Sequence, residues 1–172
     1  MGRNVEIKAR VDDLDALEKE AAALADSGPE VILQDDTFFR SPRGRLKLRV
    51  FAQGHGELIA YQRMDTAGPG LSTYAITPVS DAQGMGAVLN ASVGMYGRVR
   101  KERRLYLAGP TRIHLDRVES LGDFMELEVV LTEGQRPAEG QSIAEDLMTR
   151  LGVQKRDLII GSYLDLLLDG GA

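Results

Sequence analysis

The sequence predicts a β-rich α+β domain, and three observations carry that prediction. Short segments alternate apolar and polar residues with a period of two, which places successive side chains on opposite faces of a strand. Gly- and Pro-containing turns separate these segments at short intervals. Only a few stretches repeat apolar residues with helical spacing, and no internal repeat or low-complexity tract interrupts the pattern.

The elements follow in order. Val5 to Val11 alternates strictly and reads as a strand. Asp12 and Asp13 can each cap the helix that follows, whose face is Leu14, Leu17, Ala21 and Leu24. Ser27-Gly28-Pro29 ends it. Strands are expected over Val31–Phe39, Arg45–Phe51, Glu57–Arg63 and Leu71–Pro78, with turns at Pro42-Arg43-Gly44, Gln53-Gly54-His55-Gly56 and Gly68-Pro69-Gly70. A helix is expected from Asp81 to about Ser92, weakened by Gly84 and Gly86. Three strands follow at Val99–Leu107, Arg112–Val118 and Asp123–Leu131. Ser142 with Glu145 forms a capping-box pattern before a helix over Ile143–Leu151, and Gly152 suits its end. A last helix is expected from Asp157 into Leu168.

Composition narrows the function classes. The 172 residues suit one domain, residues 1–172, with room for a sizeable core. With no Cys, disulfides, thiolate nucleophiles and Cys-based metal sites are excluded, and two His leave no multi-His site. No apolar run approaches the ~18 residues of a membrane span, and the charged opening MGRNVEIKAR lacks the apolar centre of a signal peptide. The net charge of −5 argues against general nucleic-acid binding. These features point to a soluble, cytoplasmic protein without nucleic-acid or membrane partners. No G-x-x-x-x-G-K-[ST] loop or G-x-S-x-G elbow is present, and Gly84-Met85-Gly86 lacks the third glycine of a dinucleotide fingerprint.

The polar strand faces are the informative feature. Asn4, Glu6, Lys8 and Arg10 share one face of the first strand, Arg45, Lys47 and Arg49 one face of the third. Lys101 and Arg103 oppose Arg100, Glu102 and Arg104, and Glu126 with Glu128 share a face with Phe124 and Val130. A solvated face would mix signs and neutral polar residues within a strand; here Arg45, Lys47 and Arg49 are all cationic, and Glu126 and Glu128 are anionic with little else polar beside them. If the sheet curled with its apolar faces outward under helices, these charges would line an interior. Like charges there repel by about 4 kcal/mol per pair at 4 Å and an effective dielectric near 20. A polyvalent anion would neutralise the cations and a metal ion the carboxylates.

The chain resembles the CYTH superfamily, the triphosphate tunnel metalloenzymes that include class IV adenylyl cyclases and thiamine triphosphatases. The resemblance runs through NVEIKAR, DDTFF at Asp35–Phe39, GRLKLRV at Gly44–Val50, LIAYQR at Leu58–Arg63, VRKERRLY at Val99–Tyr106, IHLDRVESLGDFMELEVVL at Ile113–Leu131 and GSYLDLL at Gly161–Leu167. Among its branches, the bacterial class IV adenylyl-cyclase-like one is the most similar. The resemblance implies an eight-stranded antiparallel β-barrel forming a triphosphate tunnel, with helices packed outside. It implies phosphate contacts from Lys8, Lys47, Arg49, Arg63, Lys101 and Arg103, and Mg²⁺ or Mn²⁺ ligands among Glu6, Asp116, Glu126 and Glu128. Glu126, Glu128 and Lys101 are the expected catalytic residues. The implied substrate is a triphosphate such as ATP, thiamine triphosphate or tripolyphosphate. The expected reaction is cleavage of a phosphoanhydride bond, with conversion of ATP to cyclic AMP and pyrophosphate as one alternative and non-catalytic sensing as another. A homodimer is compatible with the family.

The first strand of the family reads Glu-x-Glu-x-Lys, whereas this chain has Asn4 at the first position, one carboxylate fewer. Arg45 is expected at the tunnel rim. Tyr163 either closes one mouth or anchors the last helix. His114 shares the face of Asp116 and is expected to be a hydrogen-bonded structural residue, while His55 lies in a Gly-flanked turn and is expected to be solvated.

Overall fold

The computed structural model describes residues 1–63, 66 and 68–170. In chain order the elements are β1 (Gly2–Arg10), α1 (Leu14–Leu24), β2 (Ser27–Phe39), β3 (Arg45–Val50), β4 (Gly56–Arg63), β5 (Gly70–Val79) and α2 (Ala82–Val93). They continue with β6 (Met95–Ala108), β7 (Thr111–Val118), β8 (Gly122–Val130), α3 (Pro137–Arg150), a 3₁₀ turn at Lys155–Asp157 and α4 (Tyr163–Leu168). The strands form an antiparallel sheet that closes on itself in the order β1-β5-β4-β3-β2-β6-β7-β8, with β8 paired back to β1. The predicted α+β class and ring of eight strands are therefore present.

The ring is inside-out relative to an ordinary barrel core, because its main apolar cluster lies on the outer face of the sheet. Ile7, Ile113, Leu115, Met125 and Leu127 leave the wall to pack under Leu14, Leu17 and Ala21 of α1 and Leu147 and Met148 of α3. Each such aliphatic side chain contributes about 1.5–3 kcal/mol when fully buried, so one wall is held firmly enough to present charges on its other face. α3 comes close to β1 because Gly140 faces it: a Cβ there would lie 2.7 Å from Leu131 and 2.9 Å from Val5. On the opposite side, α2 covers Phe39, Leu48 and Val79 with Met85 and Leu89. α4 closes one end of the ring, where Tyr163 and Leu164 pack on Phe38, Val99, Val118 and Phe124.

The helix ends show where local signals were read correctly and where they were not. Asp13 caps α1 by accepting from Ala16 N at 2.9 Å, and Asp81 caps α2 by accepting from Gly84 N at 2.8 Å. α3 begins at Pro137, six residues before the expected start, so Ser142 lies inside the helix instead of capping it. Proline is favoured in the first turn, and the Glu139 carboxylate accepts from Arg136 N at 3.0 Å. The expected helix from Asp157 to Leu168 is instead a 3₁₀ turn, an extended link and α4. Leu158 bridges to Ala9, Ile159 N donates to Lys8 O at 3.0 Å, and Gly161 adopts φ 87°. Ser162 and Asp165 then form the working capping box. β2 and β6 each start four residues earlier than expected, at Ser27 and Met95. β2 absorbs Gly28-Pro29 through a register irregularity between Ser27 and Glu30 opposite β6.

Candidate functional site

The ring encloses a cavity of about 430 Å³, within the size range of small-molecule sites. Among the described residues its lining carries eight cations, Lys8, Arg45, Lys47, Arg49, Arg63, Lys101, Arg103 and Arg112, and five carboxylates, Glu6, Asp36, Glu57, Glu126 and Glu128. Asp116 adds a sixth carboxylate in the same wall, with no exposed surface. Period-two alternation accounts for this arrangement: every lining charge lies on the strand face opposite the outward apolar core.

Three groups of side chains organise the cavity. In the first, Asp36 on β2 stands opposite Arg49 on β3. Arg49 grips both Asp36 oxygens, Nε at 2.8 Å and Nη2 at 2.9 Å, while Lys47 Nζ lies 2.8 Å from Oδ2. Burial would raise the Asp36 carboxyl, but the Arg49 and Lys47 charges outweigh it and hold it well below the usual carboxylate range.

The second group centres on Asp116. Arg103 makes a two-pronged contact with it, Nε to Oδ1 at 2.7 Å and Nη2 to Oδ2 at 2.6 Å, and also reaches Glu126 Oε2 at 2.6 Å. The Tyr163 hydroxyl donates to Asp116 Oδ2 at 2.9 Å, and Lys101 Nζ lies 3.4 Å from the same oxygen. Lys8 pairs with Glu126 and sits 3.7 Å above the Tyr163 ring centre. Tyr163 thus combines the two alternatives: it lines one end of the cavity and fastens α4 to the wall. Burial, reinforced by Arg103, pushes Lys101 down to about 7. Burial also lowers Lys8, helped by Arg63 and Lys101.

The third group joins His114, Glu126 and Glu128, which offer ligand atoms all within 4.8 Å of one another. His114 and Glu126 are direct register partners across β7 and β8. Nδ1 of His114 lies 3.5 Å from Glu126 Oε2 and 3.8 Å from Glu128 Oε1, and among the described residues it has no hydrogen-bond partner despite being buried. Burial, and then Arg103, push this imidazole down to about 3, so the ring is neutral at pH 7. Burial would raise Glu128, but its electrostatic interactions with His114, which is protonated only in acid, and then with Arg103 bring it to about 2, and Arg112 Nη1 lies 3.2 Å from it. Glu6 faces Glu128 across the β1–β8 register and lies 3.4 Å from Arg63 Nε. Burial raises the Glu6 carboxyl against the pull of Arg63. Neither Glu6 nor Asp116 belongs to the three-ligand group.

All the cations expected from sequence reach the cavity, and Glu126 and Glu128 come together there. Arg45 lies at the end closed by α4, 2.7 Å from Asp165. His55 is exposed, with its ring centre 5.2 Å from that of Phe51. Sequence reasoning did not single out Asp36, which a run of two aspartates hides; alternation with Gln34 and Phe38 was the available signal. It also did not anticipate the unpartnered Nδ1 of His114, since the sequence shows a shared face but not a missing hydrogen bond.

The CYTH domain pattern matches residues 2–163. The chain belongs to the CYTH domain family. Adenylate cyclase CyaB of Aeromonas hydrophila is 29% identical to this CYTH protein over 173 residues, covering 94% of this chain and 87% of its own length. Among solved structures, the PH1012 protein of Pyrococcus horikoshii OT3 is similar with a TM-score of 0.84 and 26% identity, over 95% of this chain and 98% of its own. HpAC1 from Hippeastrum, described as having a dominant triphosphatase activity, shares the fold with a TM-score of 0.67 and 19% identity, over 98% of this chain and 97% of its own. Among the described residues, no helix is long and apolar enough to cross a membrane.

Proposed function

We propose that the protein is a divalent-metal-dependent enzyme that binds a triphosphate in this cavity and cleaves a phosphoanhydride bond. The observation that carries the reading is the charge balance of the lining among the described residues: eight cations face five carboxylates and the sealed Asp116, an excess of two positive charges with Lys8 and Lys101 protonated. A nucleoside triphosphate has about four negative charges near neutral pH, and one divalent ion brings it to about two. The cavity therefore matches the complex better than either component.

Lys8, Lys47, Arg49, Arg63, Lys101 and Arg103 hold the phosphate oxygens, with the Arg forks setting orientation and the Lys acting as point charges. Glu126 and Glu128 hold the metal, with Glu6 beside Glu128. The unpartnered, buried Nδ1 of His114 between their oxygens fits a cation at this place. Asp116 braces Arg103 and Tyr163. When bound, Mg²⁺ or Mn²⁺ supplies charge neutralisation at the attacked phosphoryl group and lowers the pKa of a coordinated water. Arg103, fixed on two carboxylates, stabilises charge growing on the leaving oxygen. Lys101, with its pKa near 7, can hold or release a proton at the phosphate chain at neutral pH. Water then adds to phosphorus, the bridging P–O bond breaks, and the leaving oxygen takes up the proton the water loses and departs on phosphate or on the inorganic or organic diphosphate.

A second reading, an adenylyl cyclase forming cyclic AMP and pyrophosphate, has one structural point in its favour besides the CyaB similarity. Away from α4 the lining becomes apolar at Ile32, Phe51 and Leu105, a surface suited to the organic part of a nucleotide. Product analysis separates these readings. The pure protein would be incubated with tripolyphosphate, ATP and thiamine triphosphate, each with Mg²⁺ or Mn²⁺. Orthophosphate is the expected product. Cyclic AMP with matching pyrophosphate would transfer the assignment to the cyclase, and tight binding without turnover would make the tunnel a sensor. Absence of triphosphate binding by calorimetry would sink all three.

A further inference from the structure

We propose that His114 is a direct ligand of the divalent ion through Nδ1, and that this nitrogen makes the site prefer a first-row transition ion such as Mn²⁺ to Mg²⁺. The inference deepens the proposed function and rests on its reading of Glu126 and Glu128 as metal ligands.

Geometry is the main argument. Nδ1 lies 3.5 Å from Glu126 Oε2 and 3.8 Å from Glu128 Oε1. These separations are too long for a hydrogen bond to either oxygen. They exceed the spacing of neighbouring ligands around one ion, about 3 Å for bonds near 2.1 Å, by only about 0.5–0.8 Å, a gap that side-chain adjustment on binding an ion would close. The imidazole is only 4% exposed, and an unpartnered ring nitrogen in such a place needs a reason. A shared cation supplies one.

The positions of the strands give a second argument. His114 on β7 and Glu126 on β8 are register partners, and Glu128 follows two residues along the same face. Two adjacent walls can therefore converge on one ion without moving the backbone. On β1, the lining residue two before Glu6 is Asn4, whose Oδ1 is buried and unpartnered. That strand offers one carboxylate where the family pattern has two, and His114 restores the third donor from the opposite side of β8. Exchanging a carboxylate for an imidazole changes selectivity: Mg²⁺ favours all-oxygen octahedral sites, whereas first-row transition ions accept nitrogen readily.

Electron paramagnetic resonance of bound Mn²⁺ tests this without any turnover. Untagged His55→Gln protein leaves His114 as the remaining imidazole, and it would be loaded with Mn²⁺, with and without tripolyphosphate. Pulsed spectra are expected to show directly coordinated nitrogen, with the pattern changing when the protein is labelled with ¹⁵N-histidine. His114→Gln should remove that signal and weaken Mn²⁺ binding by at least about tenfold, a cost seen even for groups one layer further from a metal. Its effect on Mg²⁺ should be smaller. If His114→Gln does not fold, the labelled protein still decides. Bound Mn²⁺ without nitrogen coupling would overturn the His114 inference and leave the metal-dependent reading standing. No Mn²⁺ binding in either condition would overturn both.

Discussion

Asp116→Asn separates two roles for the most deeply buried carboxylate in the cavity. The sequence marks Asp116 as a metal ligand by family resemblance, whereas its contacts mark it as the brace for Arg103. Both oxygens are engaged by the guanidinium, at 2.7 and 2.6 Å, and Oδ2 also accepts from Tyr163. Removing one partner of a buried ion pair costs about 3–5 kcal/mol, because the other charge is left uncompensated. Arg103 retains Glu126 at 2.6 Å, which places the cost at the lower end, about 3 kcal/mol. For a chain of 172 residues, each kcal/mol shifts the melting temperature by about 2–4 °C, so a fall of about 6–12 °C is expected. Thermal denaturation followed by circular dichroism at pH 7 measures it. Affinity for Mn²⁺, read by loss of the free-ion resonance signal, should stay within about twofold of wild type. A melting temperature within about 1 °C of wild type would refute the bracing role. A loss of Mn²⁺ affinity as large as that of Glu126→Gln would instead make Asp116 a ligand.

Other substitutions probe the remaining parts. The pair Glu126→Gln and Glu128→Gln should lower metal-dependent turnover of the best triphosphate by about a hundredfold or more while circular dichroism stays native; retained turnover would place the metal elsewhere. Only the ammonium form of Lys101 pairs with phosphate. Because its pKa in the free protein is depressed to about 7, tripolyphosphate affinity should fall as pH rises above 7 by up to about tenfold per unit relative to Lys101→Met. Parallel pH profiles for the two proteins would remove that role. Leu147→Ala, on the α3 face packed against the wall, should cost about 2–5 kcal/mol in chemical denaturation. Its tripolyphosphate affinity below the melting range should be unchanged, since the side chain faces away from the cavity.

The wall was legible because alternation is a property of the chain itself. Glu6 and Lys8, Lys47 and Arg49, and Glu126 and Glu128 each sit two apart, and that spacing alone sends both members to one face. What lies opposite them was not legible, since register between distant strands is set by closure of the whole ring. Asp36 acquires its meaning only from pairing with Arg49; alternation separates its face from that of Asp35, which is outside the cavity and paired with Arg98, but does not say which of the two faces is the inner one. The same holds for the segment after α3. Leu158 is a good helix former and Ile159 and Ile160 are intermediate ones, but pairing of Leu158 with Ala9 and the Ile159–Lys8 hydrogen bond hold the segment extended ahead of Gly161. Tertiary contact outweighs a propensity worth only tenths of a kcal/mol per residue.

The cavity carboxylates also set what the tunnel can hold. Eight cations in one small cavity would repel strongly, and the resident carboxylates reduce that repulsion enough for the fold to form around them. They also compete with any incoming anion. Asp36 already occupies both Lys47 and Arg49, so a phosphate must share or displace it. A naked triphosphate, with about four charges, exceeds the excess of two, whereas its complex with one divalent ion does not. Tripolyphosphate should therefore bind more tightly in the presence of Mg²⁺ or Mn²⁺ than in EDTA. Asp36→Asn adds one positive charge to the balance and should tighten metal-free binding more than metal-loaded binding, while lowering the melting temperature. Calorimetry in the two conditions gives both affinities. If Asp36→Asn weakened metal-free binding, its carboxylate would act mainly by holding Lys47 and Arg49 in place, and charge matching would not be what selects the ligand.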